Sequence, residues 1–452
     1  MTATRDRDRR ALLRSLGAAG LCTLAGCSST APDPSIVAPS TALVDEPVRI
    51  GIEGLDPGSS PIVRASAQSR DGTTWASHAR FDAGDDGTVA VPEQAPVDGT
   101  YERADPMGLF WSMRPVDAAP DEPLAPDERF VPDASGYDVT LRVEVDGEPV
   151  AETTTTRRLF DPGIARRTVE GPEVVGGFFP PPGDDPAPAV LHLHGAGGRP
   201  HLAKGRLLAS RGFATLALQY FGDPDPIPDT LTEVPVEGVE RAIAWLRDRE
   251  RVAGPEVGLF GFSRGGELAL LLGSRTDDVG AIVGWVPSGL VWEGLGDGRA
   301  PADTSAWSVD GEPVPYLELA AADPGPPPTP ALPFYEPALE RAGADDLAAA
   351  AVPVEEADAP IYLASATDDR RWPSTALSAR VVDRLAEHEY PHGYRHDSFE
   401  GAGHFLGLPF LPTAGTSRDR WNVYGGSPAA NARARSRAWT ETLSVLESTL
   451  RE

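Results

Sequence analysis

A serine framed by glycines sits where an apolar run ends and a helix-forming run begins. Val257-Gly-Leu-Phe260 leads into Gly261-Phe-Ser263-Arg-Gly265, and Glu267-Leu-Ala-Leu-Leu-Leu-Gly273 follows. This G-x-S-x-G spacing marks a turn so sharp that it lifts the serine hydroxyl clear of both flanking elements. Glycine is needed on either side because strand and helix backbones pass too closely there for a Cβ. In a chain with 47 glycines the spacing alone recurs by chance, so the flanks carry the assignment. A strand feeding directly into a helix in this way constrains the fold to a sheet covered by helices.

The rest of the second half keeps that alternation. From about residue 161 onward, Ala189–Leu193 reads as a strand ending in His194-Gly-Ala-Gly-Gly198. Helix Leu202–Arg211, strand Ala214–Tyr220 and helix Val236–Glu250 then precede the serine turn, and strands Ala281–Val286 and Pro360–Ser365 come after it. Apolar strands separated by amphipathic helices predict a mostly parallel sheet buried on both faces, in the order of an α/β-hydrolase over 161–452. Between two of those strands, the Pro-rich stretch 294–352 is long enough to be either a lid over a pocket or an excursion without structure.

A serine hydroxyl is a weak nucleophile and needs a base, which in turn needs a carboxylate to hold its tautomer. In this fold the order along the chain is serine, acid, histidine. Asp368 and Asp369 follow the strand at 360–365, and spacing leaves the two open, with Asp369 preferred. His404, in Gly401-Ala-Gly-His-Phe405, is the expected base. The expected oxyanion donors are main-chain N–H groups of Arg264 and of Ala196 or Gly197. His192 and His194 share one face of a strand and are expected to shape its end beside that hole. His388, His392 and His396 are spaced as metal ligands on one helix would be, but Pro391 and Gly393 interrupt any such helix. Neither a metal nor a cofactor is expected.

The first half reads differently. Residues 1–27 resemble a twin-arginine, lipoprotein-type signal: Arg9-Arg10 precede the short apolar run Leu16–Leu24, and Leu24-Ala-Gly-Cys27 is similar to a lipobox. Cys27 is then the expected lipid anchor, placing the protein outside the cell on the outer face of the cytoplasmic membrane. Residues 28–43 are rich in Ser, Pro, Ala and Thr and predict a flexible tether. From 44 to 158, short alternating runs such as Ile62–Ala67 and Tyr137–Val145 predict an all-β, immunoglobulin-like sandwich. Its His78 has no partners for catalysis in the sequence around it. The chain carries 68 acidic and 40 basic residues, a net charge of −28, with Lys204 as its one lysine. That balance argues against nucleic acid as a partner and resembles the composition of proteins from extreme halophiles.

Taken together, these segments resemble the acyl-CoA thioesterase and bile acid-CoA:amino acid N-acyltransferase family. The similar stretches are Asp105-Pro-Met-Gly-Leu-Phe-Trp-Ser-Met113, Ala209–Leu218, Gly258–Leu268, Asp368-Asp-Arg-Arg-Trp372, Gly403-His-Phe405 with Pro409-Phe-Leu-Pro412, and Tyr424-Gly-Gly-Ser-Pro428. The resemblance implies an N-terminal β-sandwich, Asp369 as the acid, and an acyl thioester substrate. It also implies hydrolysis rather than transfer to an amino acid, because members that transfer carry cysteine where this chain has Ser263. An export signal departs from relatives that act on CoA esters inside cells. An exported carboxylesterase, an N-acyltransferase and a non-catalytic binding lipoprotein therefore stand as the alternatives. Arg370 and Arg371, beside the acid, are candidate contacts for a polyanionic leaving group.

Overall fold

The computed structural model describes residues 33–451 apart from 121, 172, 173, 223, 224 and 226. Cys27 and the signal reading lie outside the described residues. Eight strands form the larger sheet. They are β1 (Arg167–Glu170), β2 (Val175–Phe179), β3 (Ala187–Leu193), β4 (Ala214–Gln219), β5 (Val252–Phe262), β6 (Val279–Trp285), β7 (Ile361–Ala366) and β8 (Tyr394–Phe399). Their spatial order is β1-β2-β4-β3-β5-β6-β7-β8. The first two are antiparallel to their neighbours and the rest run parallel. This is the α/β-hydrolase arrangement. The antiparallel edge was absent from the sequence reading because four- and five-residue strands that include Gly176 and Gly177 carry no period of two.

Helices cover both faces: α1 (Leu202–Ser210), α2 (Val236–Arg247), α3 (Arg264–Gly273), α4 (Leu332–Arg341), α5 (Ala344–Ala350), α6 (Ser374–Glu387) and α7 (Pro428–Leu450). One core layer joins β3–β6 to α2 and α3 through Leu191, Val239, Ile243, Leu259 and Leu268. The opposite layer packs Phe260, Trp285, Tyr362, Leu207 and Trp439. Every residue of β5 from Val257 to Phe262 is buried, so the strand that delivers Ser263 is fixed from both sides.

The segment 294–352 is folded. Its hairpin strands pair Glu293 with Ser305 and Leu295 with Pro301, and α4 and α5 follow. Trp292, Tyr335, Trp372 and Leu377 form a separate apolar cluster that seats this insertion on the sheet.

Ahead of the hydrolase unit lies a two-sheet β-body. One sheet is built on strands Ile62–Gln68, Thr74–Arg80, Gly136–Val145 and Glu148–Arg158; the other pairs Ser35–Val37, Gly51–Glu53 and Val89–Ala90. The tether expectation is corrected here. Ser35–Val37 and Thr41–Leu43 are strands of this body, the second lying parallel to Glu148–Arg158. A composition rich in Ser, Pro and Thr disguised them, since edge strands of three residues need little apolar content. The hairpin joining the two long strands turns at Asp146 (φ 55°) and Gly147 (φ 86°), the left-handed pair that matches strand twist.

The two units are fastened by a buried charge. Asp45, its side chain 1% exposed, accepts from Arg211 Nε and from Trp439 Nε1, each at 2.8 Å. Arg211 ends α1 and Trp439 lies on α7. Substituting Asp45→Ala leaves a quarter-exposed guanidinium with Glu46 alone. We expect a loss of about 2–3 kcal/mol, read as a lower urea midpoint for the hydrolase unit. An unchanged midpoint would show that the contact holds nothing together.

Candidate active site

Ser263 stands between β5 and α3 at φ 57° and ψ −122°, a left-handed conformation that costs a non-glycine residue strain. The neighbours explain how the turn closes. A Cβ on Gly261 would lie 2.0 Å from the carbonyl oxygen of Gly265, and one on Gly265 would lie 2.4 Å from the carbonyls of both Leu193 and His194. The close approach of Gly265 brings the end of β3 against the start of α3. Gly195 is also close, since a Cβ there would sit 3.1 Å from Ser263 Cβ. The His194–Gly198 loop therefore borders the serine, and Ala196 and Gly197 face the adjoining cavity. Arg264 opens α3, where a main-chain N–H has no carbonyl one turn earlier to receive it.

His404 Nε2 lies 2.9 Å from Ser263 Oγ, and His404 Nδ1 lies 2.8 Å from Asp369 Oδ2. All three are buried, with 8%, 4% and 4% of their surfaces exposed for serine, histidine and aspartate. The two aspartates that spacing left open are told apart by their partners. Asp369 Oδ1 accepts the main-chain N–H groups of Arg371 and Trp372 at 2.8 and 3.3 Å, leaving Oδ2 for the imidazole. Asp368 instead pairs with Arg370 at 2.5 Å and accepts from the Gly426 N–H at 2.8 Å. It ties loops together and does not reach His404 within hydrogen-bond distance.

Several residues that hold this geometry have no role assigned by the sequence alone. The Tyr424 carbonyl accepts from the N–H of His404 at 2.8 Å and from that of Arg370 at 3.2 Å. Lys204, on α1, is 4% exposed and donates to the Leu406 carbonyl at 3.1 Å, two residues past the histidine. Its Nζ lies over the rings of Trp285, Phe262 and Phe260 at 4.1, 5.1 and 5.3 Å. Arg435 Nη2 donates to the Phe405 carbonyl at 3.0 Å. Only an isolated lysine in an otherwise lysine-free chain could have drawn attention to Lys204. Arg264 is buried by its side chain, which reaches the Glu293 carbonyl at 2.8 Å and both oxygens of Glu267. Glu267 also accepts from Trp307 Nε1 at 2.7 Å, so this ion pair ties the serine turn to the insertion. Burial pushes the Glu267 carboxyl up to about 6, against the pull of Arg264.

The three histidines at four-residue steps do not converge. His388 lies 3.8 Å from Glu355, His392 2.7 Å from Asp358, and His396 2.7 Å from Ser365 Oγ on β7. His78 lies on a strand of the β-body, away from the triad. Of the candidate anion contacts, Arg370 is engaged by Asp368, and Arg371 donates to the Thr329 carbonyl at 3.0 Å.

His194 Nδ1 is 2.8 Å from its neighbour's carbonyl oxygen at Gly195, and its ring stacks on Tyr220 at 4.1 Å, bracing the loop beside the serine.

This chain belongs to a family of α/β-hydrolase enzymes. It matches "Acyl-CoA thioester hydrolase/BAAT N-terminal region" over residues 45–171 and "BAAT / Acyl-CoA thioester hydrolase C terminal" over 234–319 and 327–452. The family is that of the acyl-CoA thioester hydrolases and the bile acid-CoA:amino acid N-acyltransferases. Acyl-coenzyme A thioesterase 1 of Homo sapiens is 29% identical over 412 residues, 88% of this chain and 92% of its own length. Peroxisomal succinyl-coenzyme A thioesterase of Mus musculus is 27% identical over 409 residues, with the same two coverages. Bile acid-CoA:amino acid N-acyltransferase of Mus musculus is 29% identical over 427 residues, 91% of this chain and 96% of its own. Among solved structures, the Pyrococcus horikoshii acylaminoacyl peptidase is 13% identical, with a TM-score of 0.41, covering 91% of this chain and 60% of that one.

Burial holds the His194 imidazole down at about 4, and it lowers His192 well below the usual histidine range, with Lys204 and His201 adding to the effect. Both ring nitrogens of His192 lack a hydrogen-bond partner. Unfolded histidine takes its proton near 6.5. Their stabilising share is therefore present above that pH and lost as pH falls through 6.5 toward 4, a window that opens above the carboxylate range. We expect the urea midpoint to decline over this window in the wild type, and to decline less steeply in His192→Leu. Equal slopes would mean that His192 is protonated as readily in the fold as outside it.

Proposed function

We propose that this protein hydrolyses acyl thioesters of the acyl-CoA type through an acyl-enzyme on Ser263, with His404 as base and Asp369 as its orienting acid. The observation that carries this reading is the unbroken hydrogen-bond chain from Ser263 Oγ through the imidazole to Asp369. Its place beside a main-chain loop able to meet an oxyanion supports the same conclusion.

In the first step Ser263 Oγ attacks the thioester carbonyl while His404 Nε2 takes the hydroxyl proton. Asp369 accepts the hydrogen bond from Nδ1 and stabilises the imidazolium. The carbonyl oxygen gains negative charge, and the N–H of Arg264, with that of Ala196 or Gly197, is aimed where that charge develops. Collapse breaks the carbon–sulfur bond, and the proton on Nε2 goes to the leaving thiolate. Water then gives a proton to the same nitrogen, attacks the acyl-serine, and frees the carboxylic acid with Ser263 restored. The Arg264 side chain takes no part in these steps, because its guanidinium is spent on Glu267, Glu293 and Tyr335.

A serine at 263 supports hydrolysis over N-acyl transfer, although the mouse N-acyltransferase is as similar to this chain as the thioesterases are. The export reading belongs to the same proposal: Cys27 as the lipidated residue of an enzyme held at the outer face of the cytoplasmic membrane, with the insertion 294–352 serving as its lid.

Ser263→Ala should abolish labelling by a fluorophosphonate and reduce turnover of acyl-CoA by on the order of a million-fold. Asp369→Asn should lower kcat by on the order of ten-thousand-fold. Asp368→Asn should cost far less, and the reverse ranking of the two would assign the acid wrongly. Conjugate formed on adding glycine or taurine would replace hydrolysis by transfer, and turnover of simple esters without thioesters would make the enzyme a carboxylesterase. Cys27→Ala should move the protein from the membrane fraction to the soluble exported fraction; membrane association that persists would remove the anchor.

A further inference from the structure

A cavity of about 660 Å³ opens directly beside the loop that borders Ser263. Ala196 and Gly197 form one wall, the end of β4 and residues 229–231 a second, and the insertion hairpin at 295–299 a third. Arg166, Arg199 and Arg299 stand around it, all of them exposed. None of the three makes an ion pair, a side-chain hydrogen bond or a ring contact within the described residues.

What sets the three apart is that they stand around one cavity. Carboxylates outnumber cationic side chains 68 to 40, and several surface arginines are engaged by them: Arg142 by Glu152, Arg384 by Glu355, Arg395 by Asp397 and Glu441, Arg370 by Asp368. Asp229 and Asp297 also face the cavity, yet neither is within ion-pair distance of the three guanidiniums. Three guanidiniums around one concavity, none held by a carboxylate in an ion pair, leave their donors available to an anion entering between them. Guanidinium groups present planar pairs of donors that match phosphate oxygens.

We propose that this cavity receives the phosphorylated portion of the leaving group, with Arg166, Arg199 and Arg299 binding the phosphates of a coenzyme A moiety; the inference rests on the thioesterase reading above. A thioester whose carbonyl lies at the Ala196–Gly197 loop has its sulfur arm leading into this space. The local charge also answers how a polyanion approaches a protein of net charge −28. It makes selection of the leaving group a property of the cavity rim, separate from the triad that performs the chemistry.

The test compares an acyl-CoA with the same acyl group on pantetheine, which keeps the arm and lacks every phosphate. In the triple variant Arg166→Gln, Arg199→Gln, Arg299→Gln, KM for acyl-CoA should rise by about tenfold or more, with kcat nearly unchanged. Kinetics on the acyl-pantetheine should not move, and inorganic pyrophosphate should compete with acyl-CoA in the wild type only. Because the three side chains are exposed, melting temperatures should match. If the variant hydrolyses both thioesters with the wild-type KM for acyl-CoA, the cavity does not bind the phosphates, whereas the thioesterase reading stands. If the wild type cleaves neither thioester, that reading fails. Calorimetric titration of CoA into Ser263→Ala, with and without the three substitutions, then decides the cavity alone: binding weakened by them supports it, and equal or absent binding overturns it.

Discussion

One carbonyl oxygen sets the distance between the two loops that the triad needs. Tyr424 accepts from the N–H of His404 and from that of Arg370, next to Asp369. The fork is possible because Gly425 and Gly426 both follow in the left-handed region, at φ 82° and 81°. A Cβ on Gly425 would lie 1.9 Å from the Asp368 carbonyl, and one on Gly426 would lie 2.3 Å from the Gly403 nitrogen. Asp368 then closes the loop from the other side by accepting from Gly426. Base and acid are thus set by main-chain contacts that no side chain could occupy. Their spacing follows from steric necessity rather than from flexible side chains finding each other.

The β-body takes part in the same restraint. Beyond the histidine, the chain runs along that body before returning to Tyr424. Thr413 donates its N–H to the Trp111 carbonyl at 3.0 Å, and Arg418 donates to the Leu124 carbonyl at 2.7 Å. Gly415 passes so close to Glu128 that a Cβ would meet its carbonyl at 1.9 Å, while Arg420 pairs with Asp127 at 2.6 Å. Ala414 and Ala432 belong to the apolar cluster of the β-body itself. The segment Asp105–Met113 reaches this junction through Trp111, whose carbonyl takes the Thr413 N–H while its indole donates to Asp105, and Gly108 packs where a Cβ would meet the Tyr101 ring. The first domain is therefore part of the support for the active site.

What the sequence made legible follows from how local each signal is. The turn at Ser263 is a local steric problem, and two glycines at fixed spacing declare it. The long buried strands and the helices between them are periodic, so their order could be read. The choice between Asp368 and Asp369 was not readable from spacing, because neighbouring carboxylates differ only in which N–H groups surround them. The strands at 35–37 and 41–43 and the edge pair β1 and β2 were missed because so few residues cannot express a pattern. Arg370 and Arg371 looked free because their partners, Asp368 and the Thr329 carbonyl, are visible only once the loops are folded. The arginines around the cavity lie far apart in the chain, at 166, 199 and 299, and nothing local announces that they share it.

The one lysine in the chain shows why residue type matters even where charge is the same. Lys204 lies between three aromatic rings and a carbonyl, with no carboxylate beside it. Burying an unpaired cation is costly, and burial indeed holds its pKa well below the ordinary lysine range. The ring faces repay part of that cost while the amine is charged, by about 2 kcal/mol for a desolvated contact. An amine that sheds its proton still donates to Leu406, so the hold on the histidine loop survives either charge state. A guanidinium cannot shed its charge and needs several acceptors in one plane, which this pocket of rings does not offer. In a protein that otherwise uses only arginine for fixed positive charge, the exception falls at a buried place suited to a small donor able to become neutral.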